Sequence, residues 1–187
     1  MRSLAVASAV ITAAVLLTAC STNEAKSYVP KASDLCCHGN WEILALGEDK
    51  EEGACVAWQE ALFPDPRACW NRLYVNTKVR RGEPEDLQVL LAVLESEAKA
   101  QRWLSSYTPS GGYDPSEYTE MFDPIVGDGA RVWEFSSTDP LSWGTEAAFY
   151  RDNLAVVLFA GKGTAEQREI MLESVDEAIL DRIIGYK

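Results

Sequence analysis

The chain has 187 residues, 47% of them hydrophobic, with 17 Lys and Arg against 29 Asp and Glu for a formal net charge of −12. That length suits one domain with a real core and is short for two. The acidic balance argues against nucleic acid as a partner and against direct adhesion to anionic lipid heads.

Arg2 is the only charge before Glu24, and the run from Leu4 to Leu17 is apolar, ending in Leu17-Thr18-Ala19-Cys20. A short basic start, an apolar run and small residues before a cut site make a secretory signal. The run falls short of the roughly 20 residues of a membrane-spanning helix. Leu17-Thr18-Ala19-Cys20 resembles the lipobox of bacterial lipoproteins. That resemblance implies a diacylglyceryl group on the Cys20 thiol and cleavage that leaves Cys20 as the N-terminus. Two or three acyl chains then anchor the protein where a single chain cannot. The expected organisation is a lipoprotein signal peptide at 1–19, a polar tether at 20–31 and one domain at 32–187, held at the extracytoplasmic face of the cell membrane. Loss of Arg2 leaves 16 basic against 29 acidic residues, a balance of −13.

Four further cysteines, Cys36, Cys37, Cys55 and Cys69, make an even number in an exported chain and read as two disulfides. Of three pairings, the neighbour bond Cys36–Cys37 closes a strained ring and ranks last. Cys36 and Cys37 are therefore each expected to reach one of Cys55 and Cys69. Zinc is disfavoured: the spacing lacks separated Cys-x-x-Cys pairs, and adjacent thiols fit one tetrahedron poorly.

Along the chain, Ser33 to Leu46 begins like a capped helix. The acidic stretch Gly47 to Gly53 lacks the alternating ligands of a calcium loop and reads as a solvated turn. Ala54 to Gln59 alternates like a strand. Trp70 to Val79 is a second strand, with Leu73, Val75, Thr77 and Val79 on one face and Arg72, Tyr74, Asn76 and Lys78 on the other. Glu83 to Tyr107 reads as a long helix: Pro84 suits its first turn, and Leu87, Leu90, Leu91, Leu94 and Ala98 recur at helical spacing. Ser106 to Glu120 is a Pro-, Gly- and Tyr-rich loop. Its Tyr107, Tyr113 and Tyr118 either line a ligand groove or fold back on the domain.

Arg131 to Phe135 reads as a strand. Ala147 to Ala160 reads as a strand pair, Leu154 to Phe159 having the continuous apolar run of a central strand. A final helix opens at Thr164, with Gln167 three residues on as in a capping box. Met171, Val175, Ile179 and Ile183 follow at four-residue intervals. The expected class is α+β, a single domain with a curved antiparallel β-sheet packed against two main helices.

Cys36 near the mature start, Cys55-Val56-Ala57-Trp58, Ile125-Val126-Gly127-Asp128-Gly129-Ala130, and Phe149-Tyr150-Arg151-Asp152-Asn153-Leu154-Ala155-Val156-Val157 before a terminal helix carry a resemblance. In this order, over about 150 residues, they resemble a family of small lipoproteins of unknown function from high-GC Gram-positive bacteria. That family is related in fold to the extracellular sensor domain of PknH-type kinases and more loosely to PsbP-like domains. The resemblance implies a curved antiparallel sheet with helices packed on it. It implies no enzyme activity.

Chemistry-bearing patterns are sparse. His38 is the only histidine, and no Gly-x-Ser-x-Gly elbow is present. Asp123, Asp128 and Glu134 are ordinary acidic residues with no spacing that marks a glycosidase pair. Gly127-Asp128-Gly129 reads as a backbone turn, because no helix N-terminus follows to cradle a phosphate. The expectation is a lipid-anchored, non-catalytic protein with no cofactor or metal. It binds a small or amphipathic ligand between the sheet and the Ser106–Glu120 loop, or an envelope partner. The alternatives are a purely structural or interaction role and, more remotely, a cell-envelope hydrolase.

Overall fold

The computed structural model describes residues 24–36, 40–44, 52–55, 61–109, 118–121, 126–135, 144–161 and 163–186. The strands are β1 (Trp41–Ile43), β2 (Glu52–Ala54), β3 (Ala68–Asn76), β4 (Asp86–Val93), β5 (Tyr118–Met121), β6 (Gly129–Phe135), β7 (Gly144–Arg151) and β8 (Leu154–Gly161). They form one antiparallel sheet in the order β1-β3-β4-β8-β7-β6-β5, with β2 pairing β3 beside β1. Besides a short helical stretch at 24–28, two longer helices, α1 (Glu97–Ser106) and α2 (Ala165–Tyr186), pack on it, one on each face. This is the expected α+β domain with a curved antiparallel sheet.

The sheet is built around β4 and β8, paired along their whole length from Asp86↔Gly161 to Val93↔Leu154. Period-two alternation sends Leu87, Val89, Leu91 and Val93 to one face and Leu90, Ala92 and Leu94 to the other. Every one of these side chains is buried. The expected helix over Glu83 to Tyr107 is thus a strand followed by a shorter helix. Both faces of β4 are covered, so both take apolar residues, and a continuous apolar run satisfies a helical period as well as a strand. The true helix start is Ser96, whose Oγ accepts from the Lys99 N–H at 3.3 Å.

β7 and β8 form the expected hairpin, pairing from Gly144↔Gly161 to Arg151↔Leu154 across Asp152-Asn153. Asp152 takes the left-handed conformation, φ 54°, which Asp tolerates better than most residues. Asn153 then ties the turn to the end of β4, exchanging bonds with the Leu94 backbone through its side-chain amide and its carbonyl. The start of α2 is also as expected, Thr164 Oγ1 accepting from the Gln167 N–H. Met171, Val175 and Ile179 are fully buried along its inner side, and Ile183 packs at the margin. The helix continues to Tyr186.

The N-terminal part departs most from expectation. Around Ser33 to Leu46 the described residues hold a 3-10 turn at Ala32–Asp34 and β1. Ordered packing begins before Ala32: Ala25 and Val29, assigned to the tether, are buried in the core with α2. Arg72 and Tyr74 explain why. They lie on the β3 face expected to be the polar one, yet they are 6% and 0% exposed. Arg72 Nη1 donates to the Pro30 carbonyl at 2.6 Å, and Tyr74 OH donates to the same oxygen at 2.5 Å. Arg182 pairs with Asp34, Ser174 Oγ accepts from the Cys36 N–H, and the Lys26 ammonium lies 4.9 Å over the Trp70 ring. Polar side chains of β3 and α2 thereby satisfy a backbone that has no strand partner of its own.

The disulfide expectation is corrected. Cys55 bonds Cys69, so neither is the partner of Cys36 or Cys37. Cys55 and Cys69 flank a loop and meet where β3 receives the Cys55 N–H at the Cys69 carbonyl, with Cα atoms 5.3 Å apart, inside the usual range for a disulfide. Cys36 is also disulfide-bonded, to a residue outside those described. Cys20, Cys37, His38 and Tyr113 lie outside the described residues too.

Candidate functional site

The face of the sheet under α1 carries the site. Short and amphipathic, α1 lays Ala100, Trp103 and Leu104 on the sheet, where they meet Leu90, Ala92, Ala148 and Val157. Tyr107 follows as the C-cap. The segment 61–64 runs alongside, fixed to the helix when Trp103 Nε1 donates to the Leu62 carbonyl at 2.8 Å. The rings of Phe63, Trp103, Tyr107 and Trp133 then follow one another at centroid spacings of 5.5, 5.2 and 5.7 Å. Tilted contacts at such spacings contribute about 0.5–1.5 kcal/mol each beyond area burial.

Between 61–64 and 106–109 lies an open groove of about 390 Å³. Leu62, Phe63, Pro64, Trp103, Tyr107 and Pro109 give it apolar and aromatic walls, and Ser106 and Thr108 add hydroxyls at its rim. The volume is at the lower end of small-molecule sites. Its walls are fixed before any ligand arrives. The Cys55–Cys69 bond ties together the two ends of the loop that carries Phe63.

Tyr107 is held at three points. Its hydroxyl donates to Glu146 Oε1 at 2.7 Å, its carbonyl accepts from Arg131 Nη1 at 2.7 Å, and its N–H bonds the Leu104 carbonyl. Glu146, in the middle of β7 between Trp133 and Phe159, is fully buried, and the Tyr107 hydroxyl supplies hydrogen bonding that a carboxylate needs there. Arg131 continues the set outward, stacking 4.8 Å over Trp133 and bonding Glu120 through Nε and Nη2. The hydrogen bond from Arg131 holds the Glu120 carboxyl below its usual range.

The two loop tyrosines among the described residues therefore separate. Tyr107 lines the groove. Tyr118 is in β5, its ring against Phe135 at 5.9 Å, away from the groove walls. The groove lies between 61–64 and the first residues of the Ser106–Glu120 loop, most of which lies outside the described residues. Phe63, Arg131 and Glu146 were not anticipated. Phe63 stands in a proline-broken stretch with no period, and Glu146 precedes the apolar run that marked the strand.

Of the acidic residues weighed for hydrolysis, Asp128 and Glu134 are tied in ion pairs, and Asp123 lies outside the described residues. Asp128 and Asp176 both bond Arg151, whose guanidinium is held further into its charged form by Asp176 first and then Asp128. Asp128 Oδ2 also accepts from the Asp152 N–H, and Asp176 Oδ2 from the Gly127 N–H. Gly127 has φ 70° and no room for a Cβ, which would stand 2.6 Å from the Tyr150 carbonyl oxygen. The Gly127-Asp128-Gly129 segment is thus a clamped turn joining β6, β7 and α2. Glu134 pairs with Arg168, which also donates to Thr145 Oγ1 and the Gly163 carbonyl. Among the described residues no group of three His, Cys, Asp or Glu side chains is placed to hold a metal ion, and no helix is long and apolar enough to cross a membrane.

Comparison of the chain with protein-family models, curated proteins and solved structures gives no match.

Proposed function

We propose that the protein is a lipoprotein held at the extracytoplasmic face of a membrane through Cys20. Its domain is a non-catalytic binding module that takes a small apolar or amphipathic molecule in the groove beside α1. The groove carries this reading: Phe63, Trp103 and Tyr107 line it, with the Trp103 ring held by the Leu62 carbonyl, the Tyr107 hydroxyl by Glu146 and the Tyr107 carbonyl by Arg131. Prearranged apolar walls lower the ordering cost of binding. The lipobox resemblance of Leu17-Thr18-Ala19-Cys20 supports the anchor. The openness of the groove also suits a second reading, in which an apolar segment of an envelope protein lies in it.

Native mass spectrometry of the chain from Ser21 onward, made in an oxidising compartment, tests this. An adduct that leaves on denaturation and is absent from Phe63→Ala supports the ligand reading. A bare mass, with no saturable change in tryptophan emission across apolar and amphipathic candidates, overturns it and leaves the partner reading.

A further inference from the structure

The segment that follows Cys20, residues 24–36, and the groove lie on opposite sides of the sheet. Residues 24–36 pack on the α2 face, in one core with Leu87, Val89, Leu91 and Val93. The groove belongs to the α1 face, in the core with Leu90, Ala92 and Leu94. The first position of the domain that is fixed in the core is therefore much closer to Cys20 than a twelve-residue tether would place it. Ala25 is fully buried, and Val29 and Pro30 are buried behind it, with the Pro30 carbonyl held by Arg72 and Tyr74. Four Cα steps separate Cys20 from Glu24, at most about 14 Å of extended chain. From the outer layer of one face to that of the other, through the sheet, is about 20 Å, since neighbouring layers pack about 10 Å apart.

We propose that this short leash sets the orientation of the domain on a lipid surface. The side bearing residues 24–36 and α2 faces the bilayer, and the groove opens away from it, toward the aqueous envelope. The inference rests on the reading of Cys20 as a lipid anchor. Lipid headgroups are the surface on the near side. The groove then receives its occupant from the aqueous side and cannot lift an acyl chain directly from the bilayer that holds the protein. Glu166, Glu169, Glu177 and Asp181 are exposed on α2. These carboxylates disfavour adhesion to anionic headgroups, so chain length sets the distance rather than contact.

The test uses the full acylated chain, reconstituted in phosphatidylcholine–phosphatidylglycerol vesicles that contain a nickel-chelating lipid. A spin label is placed either at Ser33→Cys, on the docked segment, or at Thr108→Cys, on the groove rim; both positions are exposed. The expected result is paramagnetic relaxation from the nickel headgroups several-fold stronger at position 33 than at 108. About 12 flexible residues inserted after Thr22, with a reach of roughly 20 Å, bring the two positions toward equality. Equal relaxation without the insertion overturns the orientation. A difference that survives the insertion overturns the short leash as its cause. Protein that does not co-float with the vesicles has no anchor, which refutes the premise itself and is told apart from either result by flotation.

Discussion

The face under α2 and the face under α1 draw on the same strands, and β4 and β8 feed both, yet they are closed in different ways. The α2 face is covered by a 22-residue helix together with the docked segment 24–36, and its core extends from Ala25 to Ile179 without a gap in burial. Its polar groups are spent on holding backbone, Arg72 and Tyr74 on Pro30 and Asp176 on Gly127, and on the Arg182–Asp34 side-chain pair. The α1 face is covered by a 10-residue helix and a disulfide-tied segment that touch through Trp103, Leu62 and Phe63, and an open groove remains beside that contact. Its large contacts are ring against ring, and its polar groups are spent on fixing one of those rings, Tyr107. The difference separates stability from recognition: the closed face supplies most of the core, and the incompletely covered face keeps a shaped apolar surface within reach of solvent.

Phe149→Ala should show this contrast most strongly. The ring is fully buried on the α2 face, and its loss is expected to cost about 3–5 kcal/mol, read as a lowered urea midpoint for the whole domain. A loss below about 1 kcal/mol would contradict the assignment of that face as the main core.

Removing the Cys55–Cys69 bond as the double variant Cys55→Ala/Cys69→Ala is next in size. A closed loop of this length is worth about 3 kcal/mol in the chain-entropy account. The expected signature is local. Amide exchange should rise in 61–64 and α1, while α2 remains protected, and binding in the groove should weaken. Uniform loss of protection would show that the two faces are not separable.

Tyr74→Phe removes one donor to the Pro30 carbonyl and leaves Arg72 in place, for an expected cost of about 0.5–1.5 kcal/mol. Limited proteolysis should cut the segment 24–36 faster, with the groove unaffected.

Asp34→Asn is the smallest. Its carboxyl is partly exposed, and the pair with Arg182 is worth at most about 1 kcal/mol. Burial works against the Asp34 charge, but hydrogen bonds from Arg182 and the Lys31 N–H outweigh it and hold the carboxyl below its ordinary 3.8. A depressed folded value means that the stabilisation is present in full above 3.8 and is lost as pH falls through the lower, folded value. Wild type and Asp34→Asn should therefore differ near neutral pH and converge in acid below that point. A difference that stays constant from neutral pH into strong acid would show that the pair contributes nothing.

The comparison also shows where local patterns were readable. The hairpin of β7 and β8 and the capped start of α2 were legible because chemistry and period agree. A β-branched apolar run is followed by Gly161, and Thr164 stands three residues before Gln167. β4 was not legible. Leu87, Leu90, Leu91 and Leu94 satisfy a helical stripe, and only cover on both sides makes the same residues a central strand. The polar look of Arg72 and Tyr74 was equally misleading, because their partner is a backbone carbonyl that arrives from more than 40 residues away. Of the site, Tyr107 was legible as an aromatic at a loop edge, while Phe63 and Glu146 had no local signal.

By itself the sequence determined the class of the protein: an acidic single domain, α+β, with an N-terminal stretch that resembles a lipobox, a hairpin and a terminal helix. These follow from composition, turn chemistry and capping, which act over a few residues. Only the tertiary structure decided that β4 is a strand, that Cys55 bonds Cys69, that residues 24–36 belong to the core, and that the groove opens on the other side of the sheet from them. Each of those outcomes depends on what covers a face or what meets a side chain across the fold, and such contacts join residues whose separation along the chain carries no period.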